Sequence, residues 1–451
     1  MRPRVEEFGR HLPKRTVDSV RAASAAKVAS RSHALNRAFD DVEAARTRAA
    51  SIKDDVLDNL WPYLDAFEAK ARENGIVVHR AATAEDARRQ ILQIISAQSL
   101  FDQALVVKGK SMATEEIHLN HALESAGLEV VETDLGEFVV QIDGDMPSHI
   151  VTPIIHKDRF QVARSFEDHG LGSYTEDPTE LASQAREHLR LKFKHADIGI
   201  SGVNFGLVKE GALVIVENEG NNRLSTTAPA VHIAVMGIEK LLPSTAELPL
   251  FLRLLAGSAT GQRSTVYTHV IRGPRRNDEP DGPREVHVIL LDNGRTAILN
   301  SSNRDILRCI RCGACLNVCP VYRQVSGHGY RHTYSGPLGA VLAPALDGVE
   351  KMGDLAKAST LCGACEEVCP VKIPIPDMLL RIRDKAVRKG AKDGVPWAAF
   401  AAGASSPSAW KVGLTLLPMV GGAAGSWTEF REAPRSEGRS FREWWNRRPK
   451  N

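Results

Sequence analysis

All seven cysteines of this 451-residue chain lie between positions 309 and 369. Cys309, Cys312, Cys315 and Cys319 precede Pro320, and Cys362, Cys365 and Cys369 precede Pro370. The first group reads C-x2-C-x2-C-x3-C-P, a spacing with which thiolates hold iron–sulfur clusters. The second is the same run with Ser359 in place of its first cysteine. A cubane needs several soft thiolates aimed at one small volume. Two-residue gaps form a tight turn that delivers Cys309, Cys312 and Cys315 to three different irons. The fourth cysteine points away and serves the other cluster. The proline after it has no N–H and cannot continue a helix. Gly313 and Gly363 let backbone approach the cluster closely.

This crossing rule gives a ligand map. Cluster one takes Cys309, Cys312, Cys315 and Cys369; cluster two takes Cys319, Cys362 and Cys365. The fourth corner of cluster two falls at Ser359. That site suits a 4Fe-4S cluster with a non-cysteine ligand, a 3Fe-4S cluster, or a cubane completed by a partner chain. Ser359, Thr360, His328 and His332 are the candidate fourth ligands, with surface or turn roles as the simpler account of the two histidines. Structural zinc uses paired knuckles or Cys/His sets and fits the run poorly. An odd cysteine count in a long chain without a secretory pattern argues against a disulfide framework.

The stretch between Cys319 and Cys362 is too long for a minimal ferredoxin hairpin and has a helical pattern up to Ala358. It predicts a helical two-cluster domain with each motif on a loop. Asp377–Lys389 reads as an amphipathic helix, started at Pro376-Asp377 and stopped at Gly390.

Upstream the chain alternates. Residues up to about Gly75 read as charged helices, with Ala44–Ala50 and Val56–Ala71 showing apolar residues at helical spacing. From Ile76 to Leu299, expected strands at Gly75–His79, Ala104–Val107, Leu128–Glu132, Phe138–Ile142, Ile198–Val203, Ala212–Glu217 and Val231–Val235 are interleaved with helices such as Ala84–Ser99. Asn293-Gly294 between Val286–Leu291 and Thr296–Leu299 reads as a hairpin. The alternation predicts an α/β domain with a mainly parallel sheet. The expected divisions are 1–75 (N-terminal helices), 76–300 (the α/β domain), 301–395 (the two-cluster domain) and 396–451 (a C-terminal segment).

Two places in the α/β region could carry chemistry. Lys108, Gly109, Lys110 and Ser111 join a strand to a helix N-terminus, where an anion could sit; the alternative is an ordinary loop with Ser111 as N-cap. Glu217 and Glu219 lie at a sheet end before Gly220, as general base, nucleophile or solvated turn carboxylates. No G-x-G-x-x-G, G-x-S-x-G or H-E-x-x-H motif occurs, so a Rossmann dinucleotide site is unsupported.

A net charge of +3 gives no case for nucleic-acid binding. No stretch has the length and purity of a membrane span. Val412–Gly425 comes nearest, but it is short and broken by Pro418 and glycines; it reads as a buried or docking segment, against a partner or a membrane face. Reduced thiolates point to the cytoplasm, with peripheral attachment to the inner membrane face as a variant.

The motifs R-C-I-R-C-G-A-C-L-N-V-C-P-V-Y (Arg308–Tyr322), Y-S-G-P-L-G-A-V-L (Tyr334–Leu342) and L-C-G-A-C-E-E-V-C-P-V-K-I (Leu361–Ile373) resemble the lactate utilization protein B family. So do G-V-N-F-G-L-V-K-E-G-A-L-V-I-V-E-N-E-G-N-N-R-L-S-T-T-A-P upstream and S-F-R-E-W-W (Ser440–Trp445) near the end. The resemblance covers nearly the whole chain. It implies a lactate-utilization-type domain, distantly similar to CoA-transferase and sugar-isomerase folds, and a helical two-cluster ferredoxin-like domain. It implies two 4Fe-4S clusters on the seven cysteines mapped above, three cysteines in the second motif being usual. It also implies an electron-transferring subunit that works with two partner proteins and a downstream acceptor to oxidise L-lactate to pyruvate. Two competing readings remain: an enzyme using CoA or phosphosugar chemistry at Glu217 with redox-sensing clusters, and a scaffold with structural clusters.

Overall fold

Short runs of Val, Ile and Leu at β-spacing build the centre of the protein. The computed structural model describes residues 11–98, 104–389, 394–420 and 441–449, with Val5 and Gly9. It divides into units Met1–Arg383 and Asp384–Asn451. In the first unit, strands β1 (Val77–Ala81), β2 (Leu105–Lys108), β3 (Glu129–Glu132), β4 (Ile198–Gly202), β7 (Val231–Gly237) and β10 (Glu285–Leu291) form a sheet in the order β1-β10-β7-β4-β2-β3. Every pairing is parallel, for example Val106 opposite Ile198 and Ile198 opposite Val231.

Parallel strands are joined by helical crossovers and so are covered on both faces. Alternate residues of β10 show this. Ile289 and Leu291 face a core that includes Ile91 and Ile95 of helix Ala84–Ser96. Val286, Val288 and Leu290 face the opposite core, with Leu64 and Phe67 of helix Leu60–Glu73. Each such buried side chain contributes roughly 1.5–3 kcal/mol. A four-stranded sheet, β8-β5-β6-β9, stands beside the first, from β5 (Phe205–Leu207), β6 (Ala212–Glu217), β8 (Leu241–Leu242) and β9 (Tyr267–Ile271). β6 is antiparallel to both its neighbours, so Ala212–Glu217 lies outside the parallel sheet.

Two expected strands are helices. Phe138–Ile142 lies in helix Leu135–Ile142, because the Asp134 carboxylate accepts from the Gly136 and Glu137 amides and caps its first turn. Asn293-Gly294 does form a turn, with φ of 42° and 91°. It leads into helix Arg295–Leu299 and not into a returning strand. β10 is parallel on both sides and has no hairpin partner.

The thiol-bearing region is helical, as its spacing predicts: short helices Ala314–Val318, Tyr322–Val325 and Ala364–Glu367 flank the longer Gly336–Asp347. Its core is continuous with helix Lys14–Ala38 through Val20 and Leu35. N-terminal arginines clamp the second motif: Arg31 donates to the Val368 carbonyl at 2.6 Å, and Arg46 to the Cys369 carbonyl at 2.9 Å. Helix Ile375–Arg388 carries the boundary between the two units. In the second unit, helix Pro407–Val420 covers the start of the apolar stretch; Gly421–Gly425 lie outside the described residues, as does Ser440, and Phe441–Arg447 is helical. Among the described residues no helix is long and apolar enough to cross a membrane.

Candidate iron–sulfur centres and the adjoining cavity

The two cysteine runs fold alike. In the first, Arg311 and Gly313 have φ of 61° and 73°; at the matching positions of the second, Leu361 and Gly363 have 56° and 85°. Positive φ turns the chain back so that successive cysteines face one point. In the first turn the Arg311 amide donates to Cys309 Sγ at 3.4 Å. In the second, the Leu361 amide donates to Ser359 Oγ at 3.1 Å. Ser359 therefore occupies the place of Cys309 in an otherwise repeated turn.

Cys309, Cys312, Cys315 and Cys369 line one small cavity, walled by Ile310, Leu338, Val371, Ile373 and Ile375. Cys319, Cys362 and Cys365 form the other set, each within electrostatic reach of another member. Cys315 also feels Cys365, so the sets are neighbours. Further amides donate to sulfur, Tyr322 to Cys319 at 3.5 Å and Ile373 to Cys369 at 3.4 Å. The Tyr330 hydroxyl, buried with no nitrogen or oxygen partner, lies against Cys319.

The donor set fits clusters. Burial pushes the thiols of Cys312 and Cys365 up to about 12 and that of Cys369 to about 11. Thiols packed this way become thiolates only beside a metal, which displaces their protons. All seven are free of disulfides. Of the other candidate fourth ligands, the two histidines are engaged elsewhere and Thr360 stays beside the set. His328 points to the Met146 carbonyl at 2.9 Å, beside Asp145. His332 Nδ1 accepts from the Tyr334 amide at 3.0 Å. Thr360 hydrogen-bonds the Cys362 thiol.

The loop after β2 is an internal joint. Lys108 is fully buried between Glu132 at 2.7 Å and Glu115 at 3.2 Å. Burial opposes its charge, but the two carboxylates outweigh it and raise its pKa. The Gly109 amide donates to the Ile200 carbonyl, Lys110 pairs with Glu137, and Ser111 caps the five-residue helix Met112–Glu116. Glu217 is also engaged: it accepts from the Asn222 and Arg223 amides at 2.7 and 2.9 Å and meets His269. A carboxylate held this way caps helix Asn221–Thr227 and is poorly placed as a nucleophile.

A cavity of about 480 Å³ opens at the carboxyl ends of the parallel strands. Lys110 and Ser111 reach it from β2, Asp134 from β3, Asn204 from β4, Glu239 and Lys240 from β7, and Arg295 from β10. The second sheet adds Glu217, with Glu219 just beyond it, and the first cysteine run adds Arg311. A Cβ at Gly237 would overlap Glu239 and Arg295, so glycine keeps this end of β7 open. Arg295 bridges Glu239 at 2.6 Å and Glu116 at 2.8 Å through two nitrogens, and Tyr334 donates to Glu116 at 2.6 Å. Arg311 reaches Glu239 at 3.4 Å and stacks over the Tyr334 ring at 4.8 Å. Sequence reasoning missed Arg295, Glu239, Lys240 and Arg311, because strand ends far apart in the chain bring them together.

Comparison with known proteins places this architecture. A LUD domain model matches residues 64–291, a 4Fe-4S dicluster domain residues 305–373, and the lactate utilisation protein B C-terminal model residues 371–450. The chain therefore carries two 4Fe-4S clusters. It is 44% identical over 418 residues to the "uncharacterized electron transport protein YkgF" of Escherichia coli K12, covering 89% of this chain and 87% of that protein. It is 43% identical over 423 residues to lactate utilization protein B of Bacillus velezensis (90% and 88% covered). The same identity extends over 417 residues of the Bacillus subtilis protein of that name (88% and 86%). With three domain models in register along it and near-full-length relatives of this kind, the chain belongs to the lactate utilization protein B family.

Proposed function

We propose that this chain is the electron-transferring subunit of a multi-protein complex that oxidises L-lactate to pyruvate, acting with two partner proteins and a downstream acceptor so that lactate can serve as a carbon source. The observation that carries this reading is the gathering of every thiol into two adjacent sets in a chain of this family. Bound there, the clusters supply one-electron transfer. Cys309, Cys312, Cys315 and Cys369 would hold the inner cluster; Cys319, Cys362 and Cys365 the outer one, with Ser359 at its fourth corner. The apolar wall of the inner set excludes water, and the amides of Arg311, Tyr322 and Ile373 help to hold the sulfurs. Cys362 is exposed, which suits a face where a partner docks.

The test is reconstitution. The cluster-loaded chain alone should turn over no lactate. Added to its two partner proteins, it should restore lactate-dependent reduction of an acceptor, and Cys312→Ala should abolish that restoration. Full lactate oxidation by the partners without this chain, or by this chain alone, overturns the reading.

A further inference from the structure

The loop between helices Leu135–Ile142 and Arg159–Asp168 meets the stretch that joins the two cysteine runs. The fit is close. A Cβ at Gly327 would lie 2.0 Å from the Ser148 carbonyl oxygen, and the Tyr322 hydroxyl donates to that same oxygen at 2.7 Å. At this seam Asp145, His156 and His328 come together. His156 is buried, and Asp145 and His328 are half-buried. The two imidazole rings meet edge-on with 4.5 Å between centroids. His156 Nε2 stands 3.0 Å from Asp145 Oδ2, and His328 Nε2 stands 3.4 Å from Asp145 Oδ1. The Met146 carbonyl oxygen is 2.9 Å from the same His328 nitrogen. One ligand atom from each of the three side chains fits within a span of 4.8 Å.

The hydrogen bonds around His156 fix its tautomer. Ser148 Oγ has one proton, which it donates to the Pro153 carbonyl at 3.2 Å. It therefore accepts from His156 Nδ1, 2.6 Å away. With its proton on Nδ1, a neutral His156 aims the Nε2 lone pair at a carboxylate oxygen. The two repel at 3.0 Å unless a positive centre stands between them. Lys157, paired with Asp143, approaches the same Oδ2 at 3.3 Å and leaves Oδ1 to His328. A shared proton would satisfy one imidazole. A second imidazole and a carbonyl oxygen converging on the same carboxylate form a donor set for one cation.

The donors choose the class of ion. Two imidazole nitrogens and a carboxylate suit a borderline divalent metal such as zinc. Ligand atoms about 2.0–2.1 Å from a tetrahedral zinc stand roughly 3.3 Å apart, close to the 3.0 and 3.4 Å separations here. The bond from His156 Nδ1 to Ser148 is the outer contact that orients a metal-binding imidazole.

We infer that Asp145, His156 and His328 bind one zinc-class divalent cation, through the Asp145 carboxylate and Nε2 of both histidines, with the Met146 carbonyl beside the fourth position. The site contains no sulfur and is separate from both clusters. It gives His328 a place away from the open corner of the outer one. The ion pins the loop to the stretch between the thiol sets, where Tyr322 reaches both: its hydroxyl holds Ser148 and its amide the Cys319 sulfur.

Metal counting tests this. The anaerobic, cluster-loaded chain is dialysed against dilute zinc chloride and then against metal-free buffer. About one zinc per chain beside about eight irons is expected, with only nitrogen and oxygen neighbours in zinc K-edge X-ray absorption. Asp145→Asn and His328→Ala should each lose the zinc and keep the iron. Failure to retain zinc, sulfur among its neighbours, or full zinc in either iron-replete variant overturns the assignment. Should His328→Ala lose iron as well, Asp145→Asn, which keeps the shape of the side chain, decides. The count is made on the chain alone, so lactate turnover in the reconstituted complex bears on the carrier reading and not on this site.

Discussion

The two thiol sets share one backbone design and differ in what surrounds it. The inner set has four cysteines, an apolar wall, and Arg311 linking it to the sheet-end cavity. The outer set has three, one of them exposed, with hydroxyls of Ser359, Thr360 and Tyr330 nearby. The same turn thus serves a closed, dry site and an open, polar one. Cluster potentials respond to hydrogen bonds and exposure, so the contrast is a way to make two like cofactors unlike.

The largest effect expected is loss of one centre. Cys312→Ala should cut iron from about eight to about four per chain, measured by iron and sulfide assay on anaerobic protein. Brief exposure of the unaltered protein to air should bleach the outer centre first; simultaneous loss of both would break the contrast. Next comes the open corner. Ser359→Cys should protect the outer centre against oxygen, and Ser359→Ala should convert it toward a 3Fe-4S signal in EPR. If both variants match the wild type, Ser359 is no ligand. A smaller change follows from Tyr330→Phe. Without the hydroxyl against Cys319, the outer potential should fall by about 40 mV, the one-electron equivalent of roughly 1 kcal/mol, while the inner potential stays put in a redox titration.

The smallest effect lies away from both sets. His232 is fully buried, with Nε2 2.8 Å from Ser201 Oγ, and burial depresses its pKa from 6.5 to about 3. The unfolded chain therefore binds a proton below pH 6.5 that the native chain refuses, and stability falls as pH drops through that window. His232→Asn should flatten the slope by up to about 1.4 kcal/mol per pH unit, read by denaturant unfolding between pH 6.5 and 5.5, with both cluster signals intact.

The thiol sites were legible in the sequence because their geometry is local. Gaps of two and three residues bring the thiols into two groups, and Gly313 and Gly363 mark the turns. The parallel sheet was legible from its alternation, since strands buried on both faces leave dense runs such as Val286–Leu291. Other elements depended on partners distant in the chain. Phe138–Ile142 has the composition of a strand, and only the Asp134 cap and the core formed with Phe166 and Leu189 make it a helix. Asn293-Gly294 does turn the chain, but the expected hairpin does not form, because β10 pairs in parallel on both sides and the chain goes on into helix Arg295–Leu299. Lys108 and Glu217, flagged for chemistry, are consumed by internal ion pairing and helix capping. The cavity was illegible for the same reason: Lys240, Arg295 and Arg311 are ordinary residues in sequence and converge only when the strand ends do.

In the ligand map proposed above, the two runs exchange their last cysteines. EPR of four reduced, anaerobically purified single variants tests it most directly. Cys369→Ala should lose the same signal as Cys312→Ala, and Cys319→Ala the same signal as Cys362→Ala. If Cys369→Ala instead matched Cys362→Ala, each run would serve its own centre and the exchange would be ruled out.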